Sequence, residues 1–502
     1  MLRFTVTFIA VVSTTWVSFN VLAPGSQPGD VKQPKAIPKG AQQAGGSFGS
    51  FTGEYQVTVQ SAKEPVPALK YQLAFELREQ IADNAALHYL RAAMVYREKL
   101  SGLGIDKRRE DMELEEKWLL MPLPNWPRAE IRAHFGRYNA VYSLIERAAK
   151  CEYCNWSAKA ALQEEGVNPM LPEIQEMRMF AHLLRYKIRL ELADGDFAQA
   201  AHWLKVGFTL ARHAGEGPTL IHALVGLALC GIMDYELRQF IAQAGAPNMY
   251  WALTDLPRPI IDFRKAFQGE RLAALSIFPG LRELAAEVKG GPMTAMQVGE
   301  LTEKLVKFAS ADVRDERRQA IREMASRLHG DAKKLLAQEG RSAGDIEKLP
   351  ALQAVLLLQL RRYEQAMDDV IKLQSLPYYE AAPLMRQLDK RLKAENEQAD
   401  PFSLMPLVPA CHKVRAALVR IERDQAVLRC VEAVRLYAAG HGGKPPTKLE
   451  DIGKVPIPRD PFTGKHFHYK AEGDTAIIEG PAPEGETPSI NNYIHFTVTL
   501  KN

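Results

Sequence analysis

Leu190-Glu191-Leu192-Ala193-Asp194-Gly195-Asp196-Phe197-Ala198-Gln199-Ala200-Ala201 decides the fold. The apolar residues before Asp194 recur at helical steps. Gly195 supplies the left-handed position that ends such a helix. Asp196 can then cap the next one, whose first turn has orphan amides. That second helix carries Phe197, Ala200, Ala201, Leu204, Gly207 and Leu210 on one side, and Ala200 and Gly207 are small enough for a close neighbour. It ends near Ala214-Gly215-Glu216-Gly217, and Pro218 opens a third helix where its missing amide costs little.

Helix, Gly-Asp turn, helix with an early alanine: the segment resembles a tetratricopeptide-type helical pair. Tyr363-Glu364-Gln365-Ala366 echoes Phe197-Ala198-Gln199-Ala200, with Arg361-Arg362 in place of the turn. The echo sets up no sustained period, so the expected body is an irregular helical array with one repeat-like pair. Helices are expected over 71–100, 128–154, 172–193, 197–214 and 219–244. Further ones are expected near 281–290, 294–340, 350–374, 379–396 and 407–440. The helical body is placed at 68–406.

Composition agrees with a globular protein. The 502 residues are 46% hydrophobic and 25% charged, and 64 Lys+Arg against 60 Asp+Glu leave +4. So balanced a charge gives no footprint for nucleic acid. Five cysteines in this length exclude a disulfide scaffold.

The chain from 407 to 502 reads as a long amphipathic helix followed by a small antiparallel sheet. Val414, Leu418, Ile421, Ala426, Leu428, Val431, Val434 and Leu436 mark the helix. Runs 466–470 and 475–479 flank Ala471-Glu472-Gly473-Asp474, a hairpin loop, and 493–500 alternates polar with apolar. The fold class is therefore mainly α, with a C-terminal α+β module.

Leu449-Glu450-Asp451-Ile452, Asp460-Pro461 with Thr463-Gly464-Lys465, then Phe467 and Tyr469, resemble the C-terminal part of type II secretion pseudopilins. The resemblance covers roughly the last seventy residues, counted from late in the helix. The apolar assembly helix of that family does not adjoin this module, so filament assembly is not implied. By the same resemblance Glu450, Asp451 and Asp460 are candidates for a calcium loop, although calcium takes six or more oxygens. Most of the chain also resembles a family of uncharacterised planctomycete exported proteins. That likeness rests on Leu210-Ala211-Arg212-His213, Glu216-Gly217-Pro218-Thr219-Leu220-Ile221, Tyr250-Trp251-Ala252-Leu253, Leu256-Pro257-Arg258-Pro259 and the Asp460–Lys465 run. It implies export and architecture, not chemistry.

Residues 4–23 are uncharged and follow Met1-Leu2-Arg3. They read as a signal anchor or a cleaved signal peptide. Pro24 after Val21-Leu22-Ala23 suits a peptidase cleft poorly, which favours the anchor. The expected location is the cell envelope, with the bulk outside the cytoplasmic membrane. Residues 24–67, rich in Gly, Pro, Gln and Ser, form a flexible linker. Within it Tyr55-Gln56-Val57-Thr58-Val59-Gln60 alternates with period two and is expected to pair with the similar run Phe496-Thr497-Val498-Thr499-Leu500. Gly45-Gly46-Ser47-Phe48-Gly49 matches G-x-S-x-G but lacks the strand and helix that expose a nucleophile.

Candidate sites are few. Cys151-Glu152-Tyr153-Cys154 is a C-x-x-C without a βαβ context or a second ligand pair, which favours structural roles or a local disulfide over a catalytic redox role. His466 and His468 share a strand face, with His441 and His495 as neighbours, and read as surface histidines. Arg314-Asp315-Glu316-Arg317-Arg318 reads as a solvated helix face. Tyr250, Trp251, Arg258 and Arg264 lie among paired prolines, either as the wall of a peptide groove or as a rigid corner between helical layers. No catalytic or cofactor motif is present. The expectation is an envelope scaffold binding a protein or peptide partner. The alternatives are an accessory component of a secretion or pilus-like system, and an enzyme with a helical cavity.

Overall fold

The computed structural model describes residues 53–157, 172–277, 292–309, 315–338, 340–397 and 402–501. The N-terminal apolar segment, the G-x-S-x-G match and the stretch 281–290 lie outside them.

Strand β1 (Glu54–Gln60) opens the described chain, and β2 (Ile81–Asn84) leads into α1 (Ala85–Ser101). Then come α2 (Ile105–Leu120), α3 (Arg128–Gly136), α4 (Asn139–Ala149) and β3 (Cys151–Tyr153). The central trio is α5 (Pro172–Asp194), α6 (Phe197–Gly215) and α7 (Leu220–Ile241). Short α8 (Tyr250–Thr254) precedes α9 (Phe263–Ile277), α10 (Ala295–Ala309), α11 (Asp315–Gln338) and α12 (Ala343–Glu347). Helices α13 (Ala351–Leu373), α14 (Tyr378–Glu397) and α15 (Cys411–Ala438) follow, then strands β4 (His468–Glu472), β5 (Thr475–Gly480) and β6 (Ile494–Lys501).

The Gly-Asp turn forms as its residues require. Gly195 sits at φ 77°, and the Asp196 carboxylate accepts from the Gln199 amide at 2.9 Å. Helix α6 packs against both α5 and α7. A Cβ on Gly207 would lie 2.0 Å from Met233 Sδ, so the glycine is what permits the α6–α7 approach. Pro218 does not open α7. Thr219 does, its hydroxyl accepting from the His222 amide. Leu220–Ile241 is, among the described residues, the one helix long and apolar enough to cross a membrane, and 83% of its apolar window is buried inside the fold.

Two hydrophobic cores result. The main one runs from Val59 to Leu500 and includes α1, α4, α5–α9, α14, α15 and the sheet. It crosses the expected 406/407 boundary, because α15 packs on α7, α8 and α14. The second joins α10, α11 and α13 through residues such as Leu301, Ala325, Ala332, Val355 and Tyr363.

The C-terminal sheet has the order β1-β6-β5-β4. Strands β4–β6 are antiparallel, and β1 adds in parallel, Tyr55 opposite Phe496 and Val59 opposite Leu500. The expected pairing of 55–60 with the terminal run is therefore present, and this part of the presumed linker is ordered. Tyr55 stacks on Phe496 with centroids 5.5 Å apart, and Val59 is buried.

Two expected helices are not formed over their full lengths. In 71–100, residues 71–84 are not α-helical: a 3-10 turn at Leu77–Glu79 and strand β2 come first, and α1 begins only where Asn84 Oδ1 accepts from the Ala86 amide. In 128–154, the chain breaks at Arg137-Tyr138 and leaves α4 through Lys150 to become β3. Parallel β2–β3 pairing draws both segments out of helix.

Candidate functional site

The structure gathers chemistry-bearing side chains where β2, α1 and β3 meet. The Ile81 amide donates to the Lys150 carbonyl at 2.8 Å. Asn84 Nδ2 donates to the Asn155 carbonyl at 3.0 Å, and the Asn155 amide returns to Asn84 Oδ1 at 2.9 Å. The ladder register shifts between Ile81 and Asn84, the span that holds Asp83. Such irregularities re-aim side chains. Asp83, His88 in the first turn of α1, and Cys151 at the head of β3 bring a carboxylate oxygen, a ring nitrogen and a thiol sulfur within 4.8 Å of one another.

Within the cluster Asp83 Oδ2 lies 2.8 Å from His88 Nε2, while Asp83 Oδ1 accepts from the Asn84 amide at 2.7 Å. His88 is 4% exposed, and its Nδ1 has no hydrogen-bond partner among the described residues. Cys151 Sγ donates to the Arg147 carbonyl at 3.4 Å. The Asp83–His88 hydrogen bond holds the Asp83 carboxyl below its ordinary pKa.

Both cysteines of the C-x-x-C are buried and hold free thiols. Burial pushes Cys151 up to about 11 and Cys154 further still. A thiol kept protonated is a poor nucleophile, so the pair lacks the electropositive setting of a redox motif. Cys154 belongs to a neighbouring packed layer. Its amide donates to Glu216 Oε2, and close by Tyr89 stacks on Trp156 and hydrogen-bonds His213 Nδ1 at 3.1 Å. Burial lowers His213 to about 3, which keeps that ring neutral.

The proline-rich segment forms a corner. Tyr250 is buried, and its hydroxyl donates to the Pro456 carbonyl. This corrects its place among the partner-facing residues: its ring packs beneath α15, with the Arg429 guanidinium 5.3 Å from the ring centre. Trp251 Nε1 donates to Glu64 at 2.6 Å. Arg258 turns back to the Leu253 and Thr254 carbonyls, and Arg264 pairs with Asp262 of its own segment. A groove of 470 Å³ lies along the strap after β1, lined by Lys63, Glu64, Pro65, Val66, Leu436 and Lys454 among others.

The Asp460–Lys465 run is a tight turn. The Asp460 carbonyl accepts from Thr463 and Gly464, its amide donates to Lys465, and Gly464 takes φ 69°. The Asp460 carboxylate points inward to Arg423, with Nε–Oδ1 at 2.8 Å and Nη2–Oδ2 at 2.6 Å. A calcium ion would have to displace that buried guanidinium, so the three candidates do not form an oxygen cage. Asp451 instead accepts from the Lys448 amide, and Glu450 is exposed. His468, Glu479 and His495 face one another in register across β4, β5 and β6, with Glu54 of β1 next in the row. His441 lies apart, stacked on Tyr437.

Sequence reasoning named Cys151 but missed Asp83 and His88. Their signal was Asp83-Asn84 before Ala85, a helix start with a carboxylate and a histidine around the first turn. No family model, no curated protein and no solved structure matches the chain.

Proposed function

We propose that the protein is a cell-envelope scaffold, held at the membrane by its N-terminal segment, that binds a protein or peptide partner. One observation carries the partner reading: Leu87, Leu90 and Met94 are 52%, 47% and 71% exposed on one face of α1, opposite the face that buries Ala85, Tyr89, Ala92 and Tyr96. A contiguous apolar stripe on the outside of a well-packed helix has the character of an interaction surface. Support for the tether comes from β1, which follows the N-terminal region directly and is paired over its whole length, so pull on the N-terminus is delivered to the sheet.

The test compares cross-linked envelope complexes of the full chain and its L90D/M94D variant. A specific partner recovered by the first, lost by the second, with unchanged melting of both, supports the reading. Failure to find a stoichiometric partner, or equal recovery by the variant, overturns it. Fractionation of the chain lacking residues 1–23 tests the membrane part, since that truncation is expected to leave the membrane pellet.

The helix α15 feeding an antiparallel hairpin favours a second reading, an accessory component of a secretion or pilus-like machine. Residues around the whole circumference of α15 are buried, which leaves it no free face for filament packing.

A further inference from the structure

We propose that Asp83, His88 and Cys151 bind one divalent transition-metal ion of the zinc class, with a coordination position left open to water. This goes beyond the scaffold reading and does not depend on it.

The donor set decides the ion. A thiolate with an imidazole selects a borderline-soft metal, whereas calcium and magnesium take oxygen. Zinc binds nitrogen or oxygen at about 2.0–2.2 Å and sulfur at about 2.3 Å, so tetrahedral ligands lie about 3.3–3.6 Å apart. Here the imidazole and carboxylate atoms are 2.8 Å apart, and all three donor atoms fall within 4.8 Å. Side-chain shifts of about 1 Å would bring them to those spacings.

His88 is buried with Nε2 facing Asp83 Oδ2 at 2.8 Å, so the ring nitrogen that would take the metal is already aimed at the carboxylate of the group.

The surroundings are built to hold the set. Three backbone and side-chain links between 81–84 and 150–155 fix the two strands, and Asp83 Oδ1 is anchored on the Asn84 amide, which leaves Oδ2 facing the site. The Cys151 thiol would lose its proton to solvent on binding and exchange its contact with the Arg147 carbonyl for the metal bond. No fourth Cys, His, Asp or Glu joins the group among the described residues, and the Asp83 side chain is 40% exposed, so water reaches the fourth position. Three protein ligands with one open position are the arrangement in which zinc can activate water. Cys154 is not part of the group, which separates this site from chelation by the C-x-x-C.

The experiment loads the full chain, reduced and stripped with chelator, with cobalt(II) or zinc(II). Expected are one equivalent per chain after dialysis, a thiolate-to-cobalt charge-transfer band, and d–d bands of tetrahedral intensity. C151S removes the charge-transfer band. H88Q and D83N each weaken binding at least about 10-fold. C154S leaves the spectrum and stoichiometry unchanged. Absence of a stoichiometric cobalt complex in the folded wild-type chain overturns the proposal, as does loss of the complex in C154S equal to that in C151S. Should H88Q or C151S fail to fold by circular dichroism, the wild-type stoichiometry together with C154S still decides.

Discussion

Replacing Arg423 by alanine should cost about 3–5 kcal/mol, because it strips a buried carboxylate of its paired countercharge. Arg423 is 2% exposed and Asp460 is 0% exposed. Four donor contacts leave the guanidinium: two to Asp460, one to the Asn492 carbonyl at 2.7 Å and one to the Pro481 carbonyl at 2.8 Å. Its plane also lies 4.2 Å from the centre of the Phe462 ring. Truncation therefore orphans a charge and two carbonyls at once. The double variant R423M/D460L removes the charge problem and keeps bulk. It should recover part of the loss, retaining about 1–3 kcal/mol from the unpaired carbonyls. As a reference, R391A removes an exposed partner of Asp369 and should cost under about 1 kcal/mol. Urea unfolding followed by circular dichroism reads all three. If R423A is no worse than R391A, or the double variant is as damaged as the single, the account of a buried countercharge is wrong.

Three further outcomes follow from buried groups. Asp234 is fully buried with Oδ2 unpartnered among the described residues, and burial, with the Asp424 charge adding, raises its carboxyl well above the ordinary range. A raised folded pKa contributes stability that is complete below the unfolded value and lost as pH rises through the folded one; D234N should therefore stabilise the protein at pH 7 by about 1–3 kcal/mol, and thermal melts against pH should show the gap closing towards about pH 4. R435K should loosen the strap after β1, since a lysine cannot fork to the Gln60 carbonyl, the Ala246 carbonyl and Glu432 together; limited proteolysis is expected to cut near residues 60–66 sooner, and an unchanged pattern would refute this. G269A would set a Cβ 1.5 Å from the Pro218 carbonyl oxygen and should cost about 1–3 kcal/mol, seen as a lower melting temperature.

How much of this could be read in the sequence depended on how far apart the partners lie. The α5–α6 turn was readable because Gly195 and Asp196 carry its whole geometry. Strand β1 was readable because alternation is local and β6 has the same pattern. The non-helical start at 71–84 was not, because Leu73, Leu77 and Ile81 keep helical steps and the competing partner, β3, comes far later in the chain. The Asp460 turn is recognisable as a motif and its carboxylate as no more than a candidate calcium ligand, but its actual partner, Arg423, is not. Its partner sits on α15, where alternation of polar and apolar residues suggests a solvated face that does not exist. The same distance hid the cluster at Asp83, since Cys151 joins it only through the β2–β3 ladder.

The inward polar face of α15 has a physical root. Arg423, Asp424, Gln425, Glu432 and Arg435 of α15 are all buried, though such residues in a helix normally face water. The segments packed around α15 explain it. The strap after β1, the corner at 246–250 and the loops at 481 and 492 are irregular chain, and their carbonyls have no ladder to join. Arg435 donates to Gln60, Ala246 and Pro247, while Arg423 donates to Pro481 and Asn492. The carboxylates of Glu432 and Asp460 neutralise the guanidiniums. Glu432 also accepts from the Met249 amide, and its own carbonyl takes Asn248 Nδ2. Arginine suits the task because its planar fork reaches several acceptors from one stem. The polar face of α15 thus serves as the hydrogen-bonding partner that irregular chain lacks, and it ties the N-terminal strand, the corner and the C-terminal sheet to one helix.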